Sequence, residues 1–258
     1  MKRASISEEV RGALERGELF LEYLPTVMLA DSHCIGGEAL VRWRRNGEVL
    51  QAEAFIPVIE NTPVSGTLTY WVIDTVAKEL GAWLGVNAGA HVSINVPPEI
   101  LGRGGLAYVA SRAGLCDHLG QVILEVTERG VPDRLGLQAL NLMAERGVRI
   151  ALDDVMMSGA NLALLTRCHF TMIKLDRELI AQVTPDKPPP EWWSGLRELL
   201  KHSSVQVVAE GVTSAHQAGV LKDIGVQMAQ GYFYSAELSA PGLMTLYRGV
   251  RALSGAVH

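Results

Sequence analysis

The chain has 258 residues, of which 48% are hydrophobic, and a formal net charge of −5. This size and apolar content suffice for a substantial core, and they suit one barrel about as well as two small domains. The negative net charge gives no support to non-specific binding of a nucleic acid polymer or of an anionic membrane.

Membrane insertion and a disulfide framework are also not expected. No stretch reaches the roughly 20 apolar residues of a membrane span, and the first ten residues, MKRASISEEV, lack the apolar centre of a signal peptide. The three cysteines are odd in number and have no CxxC spacing, which argues against a disulfide scaffold and a cysteine-rich zinc site. We therefore expect a cytoplasmic protein.

Short apolar runs alternate with amphipathic stretches along the chain, which is typical of parallel strands that are each followed by a crossover helix. The sequence predicts strands at 19–27, 34–43, 91–96, 121–128, 149–155, 170–176, 205–212 and 228–234. Helical patterns cover 69–84, 137–147 and 190–203, and the segment TPDKPPPE is interpreted as a surface loop. This pattern predicts an α/β fold, and about 250 residues are typical of a closed eight-stranded barrel.

Polar and ionisable residues lie near the C-terminal ends of nearly all these strands, where barrel active sites are built. Side chains alternate along a strand, so Glu38 and Arg42 share one face of their strand. The same alternation separates polar from apolar residues on other strands and directs these groups inward: Asn95, Glu125, Lys174 and Glu210. Asp153 and Asp154 are adjacent, and we expect the chain to leave the pleat there so that both carboxylates reach the site.

Collected in one mouth, five carboxylates carry a charge of −5, which Lys174 and Arg42 reduce to −3; the five belong to Glu38, Glu125, Asp153, Asp154 and Glu210. Two like charges about 4 Å apart repel by roughly 4 kcal/mol at an effective dielectric constant near 20, so the cluster must take up protons or metal ions. Oxygen ligands with one amide, that of Asn95, suit Mg²⁺ or Mn²⁺ better than zinc. A pair of such cations is a known arrangement for phosphodiester hydrolysis.

Glu38-Ala39-Leu40, within GGEALVRW, resembles the signature for which EAL domains are named. SINVPP, ILEVTE, ALDD, IKLD, VVAEGV and QGYFYS follow in the order of that family, and the resemblance covers about residues 8–245 of a single domain at 1–258. It implies a modified TIM-type (β/α)8 barrel with one antiparallel strand. It also implies a phosphodiesterase that hydrolyses cyclic di-GMP to linear pGpG with two Mg²⁺ or Mn²⁺ ions.

The resemblance implies a role for each matching residue. Metal ligands are expected at Glu38, Asn95, Glu125, Asp153 and Asp154. Lys174 and Glu210 match the residues that hold the hydrolytic water, and the substrate positions match Leu40, Arg42 and Gln230. Glu128 matches the glutamate that steadies the loop after the paired aspartates, a loop that in the family also shapes a homodimer contact.

Three segments depart from the family pattern. The usual DDFGTG reads DDVMMS from Asp153, so the loop loses both glycines and cannot keep its usual conformation. The usual Tyr-Gln-Pro has Leu24 in place of the glutamine, and the usual EGVET has Thr213 in place of its second acidic residue. We therefore expect reduced or regulated activity. Two alternatives remain, a cyclic di-GMP receptor that does not cleave its ligand and a protein-interaction domain, with a regulatory domain or protein partner outside these residues.

Overall fold

The computed structural model describes residues 3–127, 132–156 and 168–249. Its strands are β1 Leu19–Met28, β2 Cys34–Arg45, β3 Glu48–Gln51, β4 His91–Asn95, β5 Val122–Thr127, β6 Arg149–Val155, β7 Met172–Leu175, β8 Gln206–Ala209 and β9 Met228–Ala229. They follow the order β1-β9-β8-β7-β6-β5-β4-β2-β3, and a further pairing of β1 with β2 closes eight of them into a barrel. β1 runs antiparallel to both of its neighbours, whereas the pairs from β2 through β4 to β9 are parallel. The predicted barrel with one antiparallel strand is confirmed.

The described helices are α1 Arg3–Arg16, α2 Ile56–Ile59, α3 Pro63–Val86, α4 Gly105–Arg112, α5 Arg134–Glu145, α6 Arg177–Ile180, α7 Trp192–His202, α8 Ala215–Asp223 and α9 Ala240–Arg248. Several begin at a side chain that accepts a hydrogen bond from a backbone N–H of the first turn. These capping residues are Thr62, Asp133, Asp176, Ser214 and Ser239. None of the described helices is long and apolar enough to cross a membrane.

The inside of the barrel has two layers. The lower layer is an apolar cluster that packs apart from the main core, and it comprises Ile123, Ala151, Met172, Val208 and Met228. Two positions further along the same strands, on the same face, stand Glu125, Asp153, Lys174, Glu210 and Gln230. The alternation of the strands therefore stacks a layer of polar side chains on an apolar floor, at the end of the barrel that we call the mouth.

Three strands differ clearly from the prediction. β8 covers only Gln206–Ala209 of the predicted 205–212. β3 was not predicted, although Asn46 and Gly47 precede it with φ of 51° and 85°, the left-handed pair that closes a two-residue hairpin. β9 ends at Ala229, whereas the sequence predicted a strand to residue 234. The chain turns there because Gly231, with φ of 146°, approaches the backbone of Val212 so closely that a Cβ would lie 2.3 Å from its carbonyl oxygen.

Candidate active site

The ammonium group of Lys174 lies at the centre of the polar layer. Its Nζ is 2.9 Å from Glu38 Oε2, 2.9 Å from Glu125 Oε2, 3.2 Å from Asp153 Oδ1 and 2.6 Å from Glu210 Oε1. The residue is only 1% exposed. A buried lysine keeps its charge only when it is paired, and here β2, β5, β6 and the residue directly after β8 each contribute a carboxylate to it.

Strand register brings the remaining polar groups to this centre. Asn95 is the parallel neighbour of Glu125, and two residues earlier Ser93 is the neighbour of Glu38. The Asn95 amide Nδ2 donates to Glu38 Oε1 over 2.8 Å, so the Asn95 amide oxygen remains as a further oxygen ligand. Glu38, Glu125 and Asn95 thus lie side by side on three consecutive strands of the barrel.

The paired aspartates lie where β6 leaves regular pairing. Between Leu152 and Val155 the register with β7 shifts, because β6 contains one residue more than its partner. Asp154 has φ of 57°, a left-handed conformation that is rare outside glycine, although aspartate and asparagine are enriched in it. Its N–H donates to Asp153 Oδ1 over 2.9 Å. The expected departure from the pleat is confirmed, and both carboxylates reach the mouth.

Among the described residues, two groups of carboxylates are close enough to hold a metal ion, and both contain Asp153. One group is Glu38, Glu125 and Asp153, and the other is Asp153, Asp154 and Glu210. Within each group one oxygen atom from every residue lies within 4.8 Å of the others. All these ligand atoms are hard oxygens without histidine or cysteine, which fits Mg²⁺ or Mn²⁺. The donor set therefore fits two adjacent ions that share Asp153.

Burial controls the protonation of this layer. Burial raises the pKa of Glu125 well above its usual range, with a further contribution from Glu38, and it also raises the pKa of Asp153. Burial raises the pKa of Glu210 to about 8, although the Lys174 ammonium opposes the rise. For Glu38, burial acts upward as well, but Lys174 and the Asn95 amide outweigh it and lower the pKa. Protons and cations therefore compete for these carboxylates.

Arg42 does not reduce the negative charge of this cluster, contrary to the expectation from the sequence. Its Nε donates to Glu22 Oε2 over 2.7 Å and its Nη2 donates to Glu237 Oε1 over 3.2 Å. The guanidinium therefore has two carboxylates of its own, and the five clustered carboxylates with Lys174 carry a formal charge of minus four when all are ionised. This charge is more negative than the −3 expected from the sequence, so it favours the binding of divalent cations more strongly.

The other predicted substrate residues lie around the mouth. Leu40, Asn95, Asp153 and Asp154 line a cavity of about 850 Å³ that extends over the segment 52–72. Gln230 is 1% exposed; its Nε2 donates to Thr26, and its Oε1 is one of the few buried polar atoms of the described residues without a hydrogen-bond partner. The structure therefore places Leu40 against open space and Gln230 in the inner wall.

One predicted residue lies outside the described part of the chain, and two residues of the site were not predicted. Glu128 and the loop residues from Met157 to Arg167 lie outside the described residues, so their predicted roles stay predictions. Glu22 and Glu237 contact Arg42 but were not predicted as site residues. Glu22 had a signal, because it is a carboxylate inside the otherwise apolar run LFLEYLP of β1. Glu237 lies outside the strands and helices and had none.

Fold and site together define a β/α barrel with a carboxylate-rich mouth. The family model of the EAL domain matches residues 7–237. The chain therefore belongs to the EAL domain family, and the resemblance seen in the sequence is confirmed.

Relatives of known structure or name agree with this assignment. The chain is 28% identical over 235 residues to the probable cyclic di-GMP phosphodiesterase PdeB of Escherichia coli K12, covering 89% of this chain and 44% of PdeB. It is 28% identical over 250 residues to the bifunctional diguanylate cyclase/cyclic di-GMP phosphodiesterase MucR of Pseudomonas aeruginosa, covering 94% of this chain and 36% of MucR. The solved PaMucR phosphodiesterase in complex with c-di-GMP superposes with a TM-score of 0.82 at 28% identity, covering 93% of this chain and 99% of that one. The chain thus spans less than half the length of these curated relatives.

Proposed function

We propose that this chain is a phosphodiesterase that hydrolyses cyclic di-GMP to linear pGpG with two Mg²⁺ or Mn²⁺ ions. The observation that carries the proposal is the pair of carboxylate groups that share Asp153, at the mouth of an EAL barrel. The relatives PdeB and MucR bear names with the same activity. We place the protein in the cytoplasm and treat residues 1–258 as a single domain.

The residues that would hold the ions are on four strands, β2, β4, β5 and β6. Glu38, Asn95, Glu125 and Asp153 would hold one ion, and Asp153 with Asp154 would hold the second. Two such ions supply positive charge to the attacking and the leaving oxygen of a phosphodiester. Because Asp153 belongs to both groups, it would be a ligand shared by the two positions.

Lys174 and Glu210 would hold and deprotonate the attacking water. Four carboxylates fix the position of Lys174 Nζ and engage its three N–H donors, so donation to a water oxygen would replace one of these contacts. Burial raises the pKa of Glu210 to about 8, so its carboxylate, once ionised, is a stronger base than an ordinary glutamate. Lys174 Nζ and Glu210 Oε1 are in direct contact at 2.6 Å, so a water molecule bound beside this pair would lie within reach of both side chains.

The remaining roles concern substrate and assembly. Leu40, which lines the cavity, would contact a guanine, Arg42 would contact a phosphate, and Gln230 would complete the inner wall. Glu128 would steady the loop after the aspartates, and this loop would contribute to a homodimer. Because the curated relatives extend well beyond the matching region, a regulatory domain or a protein partner would control the activity.

One observation favours a second candidate, a receptor that binds cyclic di-GMP without cleaving it. Leu24 is the cross-strand neighbour of Glu38, so an apolar side chain lies beside a metal position. Val155 and Met156 follow Asp154 without a glycine, although Asp154 itself is left-handed. A protein-interaction domain remains the third alternative.

The deciding experiment is chromatographic detection of pGpG after incubation of the protein with cyclic di-GMP and Mn²⁺. A Glu38→Ala variant removes a metal ligand, and Glu48→Ala, on the exposed strand β3, is its matched control. We expect product from the wild type and from Glu48→Ala, and none from Glu38→Ala or in the presence of a chelator. Binding of cyclic di-GMP without product would favour the receptor, and absence of binding would favour the interaction domain.

A further inference from the structure

Arg42 is a buried cation that the chain itself neutralises twice over. Each of its three nitrogens donates to an acceptor of the protein: Nε to Glu22, Nη2 to Glu237 and Nη1 to the Val41 carbonyl oxygen at 3.2 Å. Only 2% of its side chain is exposed. With two carboxylates, the group carries a net charge of minus one rather than plus one.

The two carboxylates can move, whereas the guanidinium cannot. The Glu22 and Glu237 side chains are 32% and 20% exposed, so either carboxylate can turn into water without opening a cavity. Glu22 extends from β1 opposite Leu40, and Glu237 follows β9 in a segment where the Tyr232 hydroxyl donates to it over 3.4 Å. We call the contact of Arg42 with Glu22 and Glu237 the latch. It is broken when one of the two carboxylates turns away from the guanidinium.

This latch borders the cavity at the mouth. Leu40 lines the cavity, and Arg42 follows two residues later on the same face, which is about 7 Å along the strand. Arg42 itself does not line the cavity, so a phosphate that is to contact it, as the proposed function assigns, would have to extend from the paired aspartates past Leu40 along β2. The phosphate would meet Glu22 and Glu237 there first, and like charges at such distances repel.

We propose that Glu22 and Glu237 restrain the binding of cyclic di-GMP by occupying Arg42, so that a substrate phosphate must displace at least one of them. The two glutamates are specificity-determining residues that set the substrate affinity of this chain. This inference rests on the proposed function, because that function assigns the phosphate to Arg42. The restraint acts on binding rather than on the chemical step, since neither carboxylate contacts the Lys174 cluster in the described contacts.

The test compares Glu22→Gln, Glu237→Gln and the double variant with the wild type in Mn²⁺. Glutamine keeps an oxygen acceptor for Arg42, so the fold retains its hydrogen bonds while the charge is removed. We expect KM for cyclic di-GMP to fall by roughly three- to tenfold in each single variant, with the effect on KM rather than kcat. Glu145→Gln is the matched control, because it removes the same charge at the exposed end of α5, beside the start of β6.

An unchanged or higher KM in both single variants would overturn the inference, as would an equal decrease in Glu145→Gln. If the wild type shows no turnover, the proposed hydrolysis fails, and calorimetric titration of cyclic di-GMP then tests the restraint alone. Tighter binding by Glu22→Gln and Glu237→Gln than by the wild type would support it. Absence of binding by the wild type and by all three variants at Glu22 and Glu237 would overturn both proposals.

Discussion

The Nζ atom of Lys174 lies 2.9 Å from Oε2 of Glu38, although the two residues stand on opposite strands of the barrel. β2 and β7 are four places apart in the ring of eight, so this ion pair spans the lumen. Glu125 and Asp153 come from strands between them and complete the contacts on one side. The lysine therefore ties together the two halves of the polar layer.

Replacement of this lysine by methionine is expected to destabilise the metal-free protein. Removal of one partner from a buried ion pair costs about 3–5 kcal/mol, because the carboxylates lose their counter-charge. The Lys174→Met variant should therefore unfold at a lower temperature in chelator and recover much of the loss in Mn²⁺, while turnover falls by about 100-fold or more. The measurement is thermal unfolding in both buffers.

Lys201→Met provides the control for that comparison. Lys201 pairs with Glu198 on the exposed side of α7, and exposed pairs contribute about 0–1 kcal/mol. Equal melting temperatures of Lys174→Met and Lys201→Met in chelator would contradict the central role of Lys174.

Binding of Mn²⁺ is expected to release protons and to strengthen as the pH rises. Burial raises the pKa of Glu210 to about 8, and it also raises the pKa of Glu125 and of Asp153, so protons compete with Mn²⁺ for this layer. The affinity for Mn²⁺ should increase between about pH 6 and pH 9. Calorimetry in buffers of different ionisation enthalpy measures the released protons, and an affinity independent of pH would disprove the expectation.

Asp154 offers a test of backbone strain that separates conformation from charge. Asp154→Gly and Asp154→Ala both remove the carboxylate, but only glycine adopts φ of 57° without steric cost. Asp154→Gly should therefore be more stable than Asp154→Ala by about 1 kcal/mol, while both lose activity to the same extent. Chemical denaturation gives the stability difference. If the alanine variant proved the more stable, the left-handed conformation would be wrong.

His91 should make the fold sensitive to acid. Burial lowers its pKa from 6.5 to about 3, with Arg149 adding to the effect. Between these values the unfolded chain binds the proton and the folded chain does not, so stability is present above pH 6.5 and is lost as the pH falls. The loss reaches about 1.4 kcal/mol per pH unit.

His91→Leu should reduce that acid dependence, whereas His216→Leu, on the exposed face of α8, should not. Denaturation midpoints at pH 7.5 and pH 5 distinguish the two variants. An identical pH dependence in His91→Leu and the wild type would show that His91 is protonated in the folded state.

Most of the barrel and its charged layer could be predicted from alternation along the strands. Each of Glu125, Asp153, Lys174 and Glu210 follows an inward apolar residue by two positions, so the pattern fixed both face and height. The Asn46–Gly47 dipeptide is likewise a sequence signal for a two-residue hairpin, although β3 was not predicted from it.

What the sequence could not supply was pairing between distant segments. The charge of Arg42 was assigned to the wrong carboxylates, because its partners Glu22 and Glu237 depend on the antiparallel register of β1 and on the path after β9. The early end of β9 depends on the close approach of Gly231 to Val212, a contact between two chain segments that periodicity does not encode.

The apolar floor beneath the charged layer affects the order in which ions, water and a nucleotide enter and leave the site. Among the described residues, Met172, Val208 and the side chains beside them form a buried apolar layer below Lys174, which disfavours passage of water and ions through the lumen. Everything that enters or leaves the layer shares the entrance at the mouth. A nucleotide lying across that entrance would hold ions and water in the layer beneath it. The rate at which the nucleotide leaves would then limit the rate at which those ions and water exchange.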